Sequence, residues 1–219
     1  MSSSVVQLLV LAGVAVFLIL KLRSVLGTRE GFEKPAVPLE DVRPKARRDF
    51  EVIEGGPDRD ITDHVPEDSA AARALAAMKT AEPGFSVGSF LAGARGAYEM
   101  ILMGFEKGEI DSIRPFLSAD VAASFDAAVA AREREGLTVE ANFVGLRELV
   151  LQDATFDRDS RTAEITVRFT GELTSIVRNK AGVVVEGRET EIKRQRDVWT
   201  FARRMGVDDP NWQLVATGD

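Results

Sequence analysis

The side chains able to carry chemistry are few and scattered. The 219-residue sequence has no cysteine, which excludes thiol nucleophiles, disulfides and zinc-thiolate sites outright. Its one histidine, His64, stands beside Asp63 among prolines and charges. A metal needs several convergent ligands and a general base needs a pocket, so His64 reads as a solvated side chain. The one tyrosine, Tyr98, precedes Glu99 in a helical stretch, where neighbouring side chains point about 100° apart and do not easily share a pocket. Asp153, Glu172 and Asp197 are acids on predicted strands, and nothing in their spacing sets a base opposite Tyr98. No serine sits in a nucleophile elbow, no glycine-rich phosphate loop follows a strand, and the Gly93/Gly96 spacing fails the dinucleotide fingerprint. The pattern predicts a non-enzyme with no cofactor and no metal.

What organises the chain is a greasy leader. Val5 to Leu20 is apolar except for Gln7, and Lys21 and Arg23 follow at once. Extended through Leu22 it falls at the short end of the roughly 17 to 25 residues that cross a bilayer as a helix. Val5, Leu8, Leu11, Val14, Phe17 and Leu20 are the expected lipid-facing anchor residues within a membrane segment spanning 1–26. A cleaved secretory signal has its charges before the apolar run, and here that order is reversed. By the positive-inside tendency the N-terminus faces out and everything after Lys21 stays in the cytoplasm. The net charge of −7 is shared by both halves, so nucleic acid is not an expected partner.

Residues 27–68 read as a flexible linker, rich in proline and mixed charge and without a sustained period. A tether of about forty residues reaches on the order of 35 Å. Residues 69–84 form a linking helix, capped by Asp68 or Ser69 and stopped by Pro83-Gly84, whose thin apolar face of Leu75 and Met78 fits docking on its own domain first, with a membrane or a partner helix as the alternatives. Residues 85–219 form the folded domain. Ser86 to Lys107 carries the strongest helical pattern, with Phe90, Leu91, Ala94, Tyr98, Ile101 and Phe105 on one face. Gly93 and Gly96 within it each cost up to about 1 kcal/mol of helix propensity, which predicts a close neighbour. Short helices follow at Asp111–Leu117 and Ser118–Arg134, the latter burying Val121, Phe125, Ala128 and Val129 and ending in a solvated run from Arg132 to Glu135.

After Gly136 the period becomes alternating. A long strand from Val139 through Leu151, buried in part on both sides, is followed by a turn at Asp157–Ser160. A second strand carries Ala163, Ile165, Val167, Phe169, Gly171 and Leu173 on one face, and its alternation slips before Ile176 as a bulge would make it. A hairpin at Asn179–Gly182 leads to strands at Glu189–Phe201 and Trp212–Thr217. Helices first and a meander of long strands after give an α+β class: one curved antiparallel sheet wrapped over the Ser86 helix, cone-shaped with an apolar mouth.

Asp197-Val198-Trp199-Thr200-Phe201, followed by Asp209-Pro210-Asn211-Trp212-Gln213-Leu214, resembles the terminal strand pair of the Tim44-like C-terminal domain family. Leu8 to Leu20 with Leu22-Arg23-Ser24-Val25-Leu26-Gly27 resembles the opening of its bacterial, TimA-type, membrane-anchored members. With Phe85 to Phe105, the resemblance covers both ends of the chain. It implies a fold similar to nuclear transport factor two and an adaptor or scaffold role at the cytoplasmic face of the bacterial inner membrane, in protein translocation or membrane-protein assembly. In mitochondria the family recruits an Hsp70-type chaperone to a protein-conducting channel and contacts cardiolipin. Those members have a long chaperone-binding region where this chain has an anchor and tether, so fold and membrane attachment are what carry over. The expected partners are membrane lipid and a protein, either a membrane complex or a chaperone; the residues fix no oligomeric state.

Cone folds of this kind also host isomerases and dehydratases that pair an Asp or His base with a Tyr donor, so a lipid-binding, small-molecule-binding or isomerase-like role for the pocket is the alternative. Trp199 and Phe201 share a side of their strand and are assigned to the core. Phe90, Tyr98, Phe116, Phe125 and Phe143 are the candidates for the mouth of the pocket or a partner surface.

Overall fold

A computed structural model describes residues 56–218 of the chain. The proposed anchor, including Val5, Leu8, Leu11, Val14, Phe17 and Leu20, lies outside these residues, as does most of the tether. Among the described residues no helix is long and apolar enough to cross a membrane.

The helices come first and the strands after. Helix α1 is a single turn at Arg59–Thr62, α2 spans Ala70–Ala81, and α3 is the long helix Val87–Lys107. Ser69 and Ser86 cap α2 and α3 by accepting from the amides of Ala72 and Ser89. Gly108 ends α3 in the left-handed conformation. Helix α4, Ile110–Ile113, runs into a 3-10 turn at Arg114–Phe116, and α5 occupies Ala119–Glu135. Four antiparallel strands close the chain in simple order: β1 Thr138–Asp157, β2 Thr162–Arg178, β3 Val184–Arg204 and β4 Gln213–Gly218.

The inner face of the sheet is apolar because β2 alternates as its sequence requires. Ala163, Ile165, Val167 and Phe169 are fully buried beneath α3, whose Tyr98 and Ile101 are likewise inaccessible. Leu75 and Met78 of α2 are also sealed, so that helix docks on its own domain as its apolar face predicts. The slip in β2 is real: Thr174 pairs with Ile192 and Ile176 with Gly187, so residues 188–191 bulge out of β3.

Three expectations are corrected. The two-side-buried stretch of β1 is instead an edge strand with register shifts at Phe143/Gly145, Leu146/Glu148 and Leu151/Asp153. Each shift resets which side chains face inward, so an apolar-rich run there leaves Val144 half exposed. The last part of the predicted linker is ordered: α1 buries Ile61 and Val65, and Asp60 receives the amides of Val87 and Gly88 at the start of α3, 2.8 and 2.9 Å away. A carboxylate at a helix N-terminus meets unpaired N–H groups and the positive end of the dipole, which is why this short segment holds. Lys79 completes the clip with ion pairs to Asp58 and Asp60. Finally, Arg132 is not part of a solvated run. Its guanidinium donates to the carbonyls of Phe105 and Glu106 at the end of α3 and lies over the Phe105 ring.

Candidate functional site

Tyr98 is fully buried, and its hydroxyl donates to Asp197 Oδ2 at 2.6 Å, while Gln195 donates to Oδ1. Its ring stacks on Phe169 at 4.5 Å, with interplanar angle 6°, and tilts against Trp199. Burial, the hydrogen bond to Asp197 and the carboxylate's charge all raise the Tyr98 hydroxyl far above its ordinary value, so it stays a donor. A Tyr–Asp pair is therefore present where sequence spacing offered none. Both carboxylate oxygens are taken by donors, and Tyr98 has no face open to a substrate. Of the other acids, Glu172 sits on the outer face of the sheet between Arg147 and Arg194, and Asp153 accepts from the amide of Ala154. Among the described residues no cluster of His, Asp and Glu could hold a metal ion.

The five aromatic candidates do not converge. Tyr98 belongs to the core. Phe143 packs edge-on to it, with centroids 6.1 Å apart. Phe125 meets Phe105 beside a separate cleft of about 420 Å³ that has Asp197 and Trp199 in its lining. Phe90 and Phe116 alone share an open groove, of about 430 Å³.

That groove is the more apolar of the two clefts that the aromatic candidates reach. The first half of α3 supplies Phe90, Gly93, Ala94 and Ala97; the segment before β4 supplies Pro210, Asn211 and Trp212; Phe201 and Arg203 come from β3. Trp212 packs against Phe90, with ring centroids 4.7 Å apart, and against Phe85 at 6.1 Å. Trp212 thus stands half-buried as a wall, whereas Trp199 and Phe201 are core as expected. The groove's charged members are Glu82 and Arg203. The Arg203 side chain is only 7% exposed; Nη2 donates to Glu82 at 2.6 Å, and the guanidinium lies 5.3 Å from the Trp212 ring centre. Its buried Nε meets no acceptor among the described residues. Burial by itself would raise the Glu82 carboxyl, but the Gly206 amide and the Arg203 guanidinium together hold it below its ordinary value.

Sequence reading passed over Arg203, although a signal was there. Trp199, Phe201, Arg203 and Met205 are every second residue, so an arginine at the end of an aromatic row must face the buried side of the sheet. Gly93 and Gly96 are the opposite case. A Cβ built at either meets nothing within 4 Å, so the close neighbour that their cost predicts is not found among the described residues. Gly104 holds that role instead, with Ile113 against it.

Comparison with known proteins agrees with the fold. Among curated proteins none matches the chain. The intermembrane space region of the chloroplast protein ARC6 is a solved structure similar to this one at 11% identity, with a TM-score of 0.38 over 56% of this chain and 88% of that one. The family model for the Tim44-like domain matches residues 71–219, more than half of the sequence and all of the helix-then-sheet unit from α2 onward. The chain belongs to the Tim44-like domain family.

Proposed function

We propose that this protein is a membrane-anchored adaptor whose Tim44-like domain binds a protein partner at the cytoplasmic face of the inner membrane. The observation that carries this reading is the groove between α3 and Trp212: open, walled by Phe90, Phe116 and Trp212, with its two charged lining residues, Glu82 and Arg203, engaged in an ion pair with each other. Sites of this make recognise shape and apolar side chains. The Tyr98–Asp197 pair is the feature an isomerase-like reading would use, and its burial favours a structural role.

The leader from Val5 to Leu20 supports attachment, since a span next to a tether raises the effective concentration of the domain at the bilayer surface. The test is crosslinking in intact membranes with photoreactive residues placed around the domain, followed by identification of captured proteins. One discrete membrane or chaperone partner is the expected result. Recovery of the protein without any partner, together with turnover of a small molecule that depends on Asp197, would replace the adaptor with an enzyme. Protease added to each side of sealed vesicles checks orientation: cleavage in residues 27–55 from the cytoplasmic side alone is expected.

A further inference from the structure

The β2–β3 hairpin runs past the end of the sheet. Its last rungs pair Thr138 with Arg178 and Arg178 with Val184, so residues 179–183 project beyond them. At this tip stand three consecutive valines, Val183, Val184 and Val185, at 58%, 42% and 54% exposure. Met100, Val144, Ile192 and Val207 are also exposed, but singly, and a lone exposed apolar side chain is ordinary. A run of three at a tip is not. Successive strand residues point to opposite faces, so Val184 and Val185 lie on the two sides of the ribbon. A protein seated on one side would cover one of them and leave the other wet. A medium that surrounds the tip covers both, and the interface of a bilayer is such a medium.

The second observation is independent and concerns the backbone. A turn enters lipid at low cost only where its own polar groups are met internally. Here the Asn179 carbonyl accepts from the Gly182 amide at 2.8 Å, and its Oδ1 accepts from the amides of Ala181 and Val183 at 3.0 and 3.1 Å. The Asn179 amide donates to the Val183 carbonyl at 3.0 Å, and Arg178 donates to the Gly182 carbonyl at 3.3 Å. The valines are therefore presented by a turn that is already closed. Charge points the same way: no acid occurs from Arg178 to Val185, Lys180 is exposed, and the first acid beyond, Glu186, is paired with Lys193. In a chain of net charge −7 such a stretch suits an anionic surface.

We propose, resting on the membrane attachment in the adaptor reading, that the β2–β3 hairpin is a second membrane contact, with Val183, Val184 and Val185 seated just below the lipid headgroups and Lys180 at their phosphates. The contact is shallow, on the order of 5 to 10 Å. Strand β3 runs from this hairpin to Phe201 and Arg203, so the groove lies at the far end of the strand and points away from the lipid. The tether, which joins the domain through α1 at the groove's end, is long enough. The 21 residues of β3 at about 3.3 Å each come to less than about 70 Å, whereas residues 27–57 drawn out reach about 100 Å.

The sequence has no cysteine, so one introduced at position 184 takes a single environment-sensitive dye. The full-length Val184→Cys chain, labelled with nitrobenzoxadiazole, is placed in protein-free vesicles of phosphatidylcholine and phosphatidylglycerol. Val207→Cys, exposed at the opposite end of β3, is the reference. Emission at 184 should shift to the blue, and quenchers carried on the acyl chains should act on it about three-fold or more as strongly as at 207. Adding Val183→Asp and Val185→Asp should return both readings to the reference values with circular dichroism unchanged, and the comparison of 184 with 207 decides alone where the aspartates unfold the domain. A dye at 184 that stays in water while the chain floats with the vesicles overturns this inference and leaves the anchor standing; a chain that does not float overturns both. Shielding of 184 in native membranes but not in protein-free vesicles makes the occupant a protein and overturns the inference too. An aspartate pair that folds and leaves the blue shift intact does the same, because the valines then do not hold the tip in lipid.

Discussion

Tyr98 and Asp197 are separated by 99 residues in sequence and by 2.6 Å in the fold. No local pattern announces such a pair, because it depends on how far α3 slides along the sheet. The same contact explains Gly171, where a Cβ would lie 2.7 Å from the Tyr98 hydroxyl and 3.0 Å from its Cε1. Backbone of β2 cannot retreat while it is paired on both sides, so Gly171→Ala should destabilise the domain by about 1 to 3 kcal/mol through overpacking. Urea unfolding measures it, and an unchanged midpoint would show that the tyrosine can move aside. What sequence does disclose at this scale is parity: Phe169, Trp199 and Phe201 are core because alternate residues share a face, and Arg203 follows from that rule once it is applied one step further. Phe125 and Phe143 show where it stops. Both are apolar and half-buried, yet tertiary placement decides that Phe125 lines a cleft while Phe143 packs on Tyr98.

Between elements, the informative unit is the clip that α1 makes on α3. Helix spans were legible from caps and periodicity, since Ser69, Ser86 and Ser118 mark three helix starts and Gly108 and Gly136 two ends. The clip was not, because a four-residue helix has no period and Asp60 works through distant partners: Lys79, Ser86, Val87 and Gly88. Burial opposes the charged form of Asp60, but Lys79, the Gly88 and Val87 amides and the Ser86 hydroxyl outweigh it and depress the carboxyl strongly. A depressed carboxyl lends stability that is fully present above its unfolded value, about 3.9, and is lost as pH falls through the folded one. Parent protein should therefore exceed Asp60→Asn in thermal midpoint at pH 7, and the gap should shrink as pH drops below 4. A gap that stays constant with pH would mean that the difference does not come from the charge on Asp60.

For the whole molecule, the question is where the folding unit begins. The Tim44-like match starts at residue 71, whereas the hydrogen-bonded structure of the described residues starts at Asp58. The extra residues bury Ile61 and Val65 at 4% and 7% exposure, and each such side chain contributes about 1.5 to 3 kcal/mol as an upper figure. Losing Asp60 removes the α3 cap as well, at about 0.5 to 2 kcal/mol. A fragment of residues 71–219 should accordingly be less stable than one of residues 56–219 by up to roughly 3 to 8 kcal/mol, a large share of the about 5 to 15 kcal/mol that holds a domain folded. The consequence reaches function, because α1 bonds to the same end of α3 that borders the groove: Asp60 accepts from the Ser86 hydroxyl, and Ser86 lines that groove. If both fragments unfold at one urea concentration, the clip is decorative; if the shorter one unfolds earlier, tension on the tether has a direct route to the binding surface.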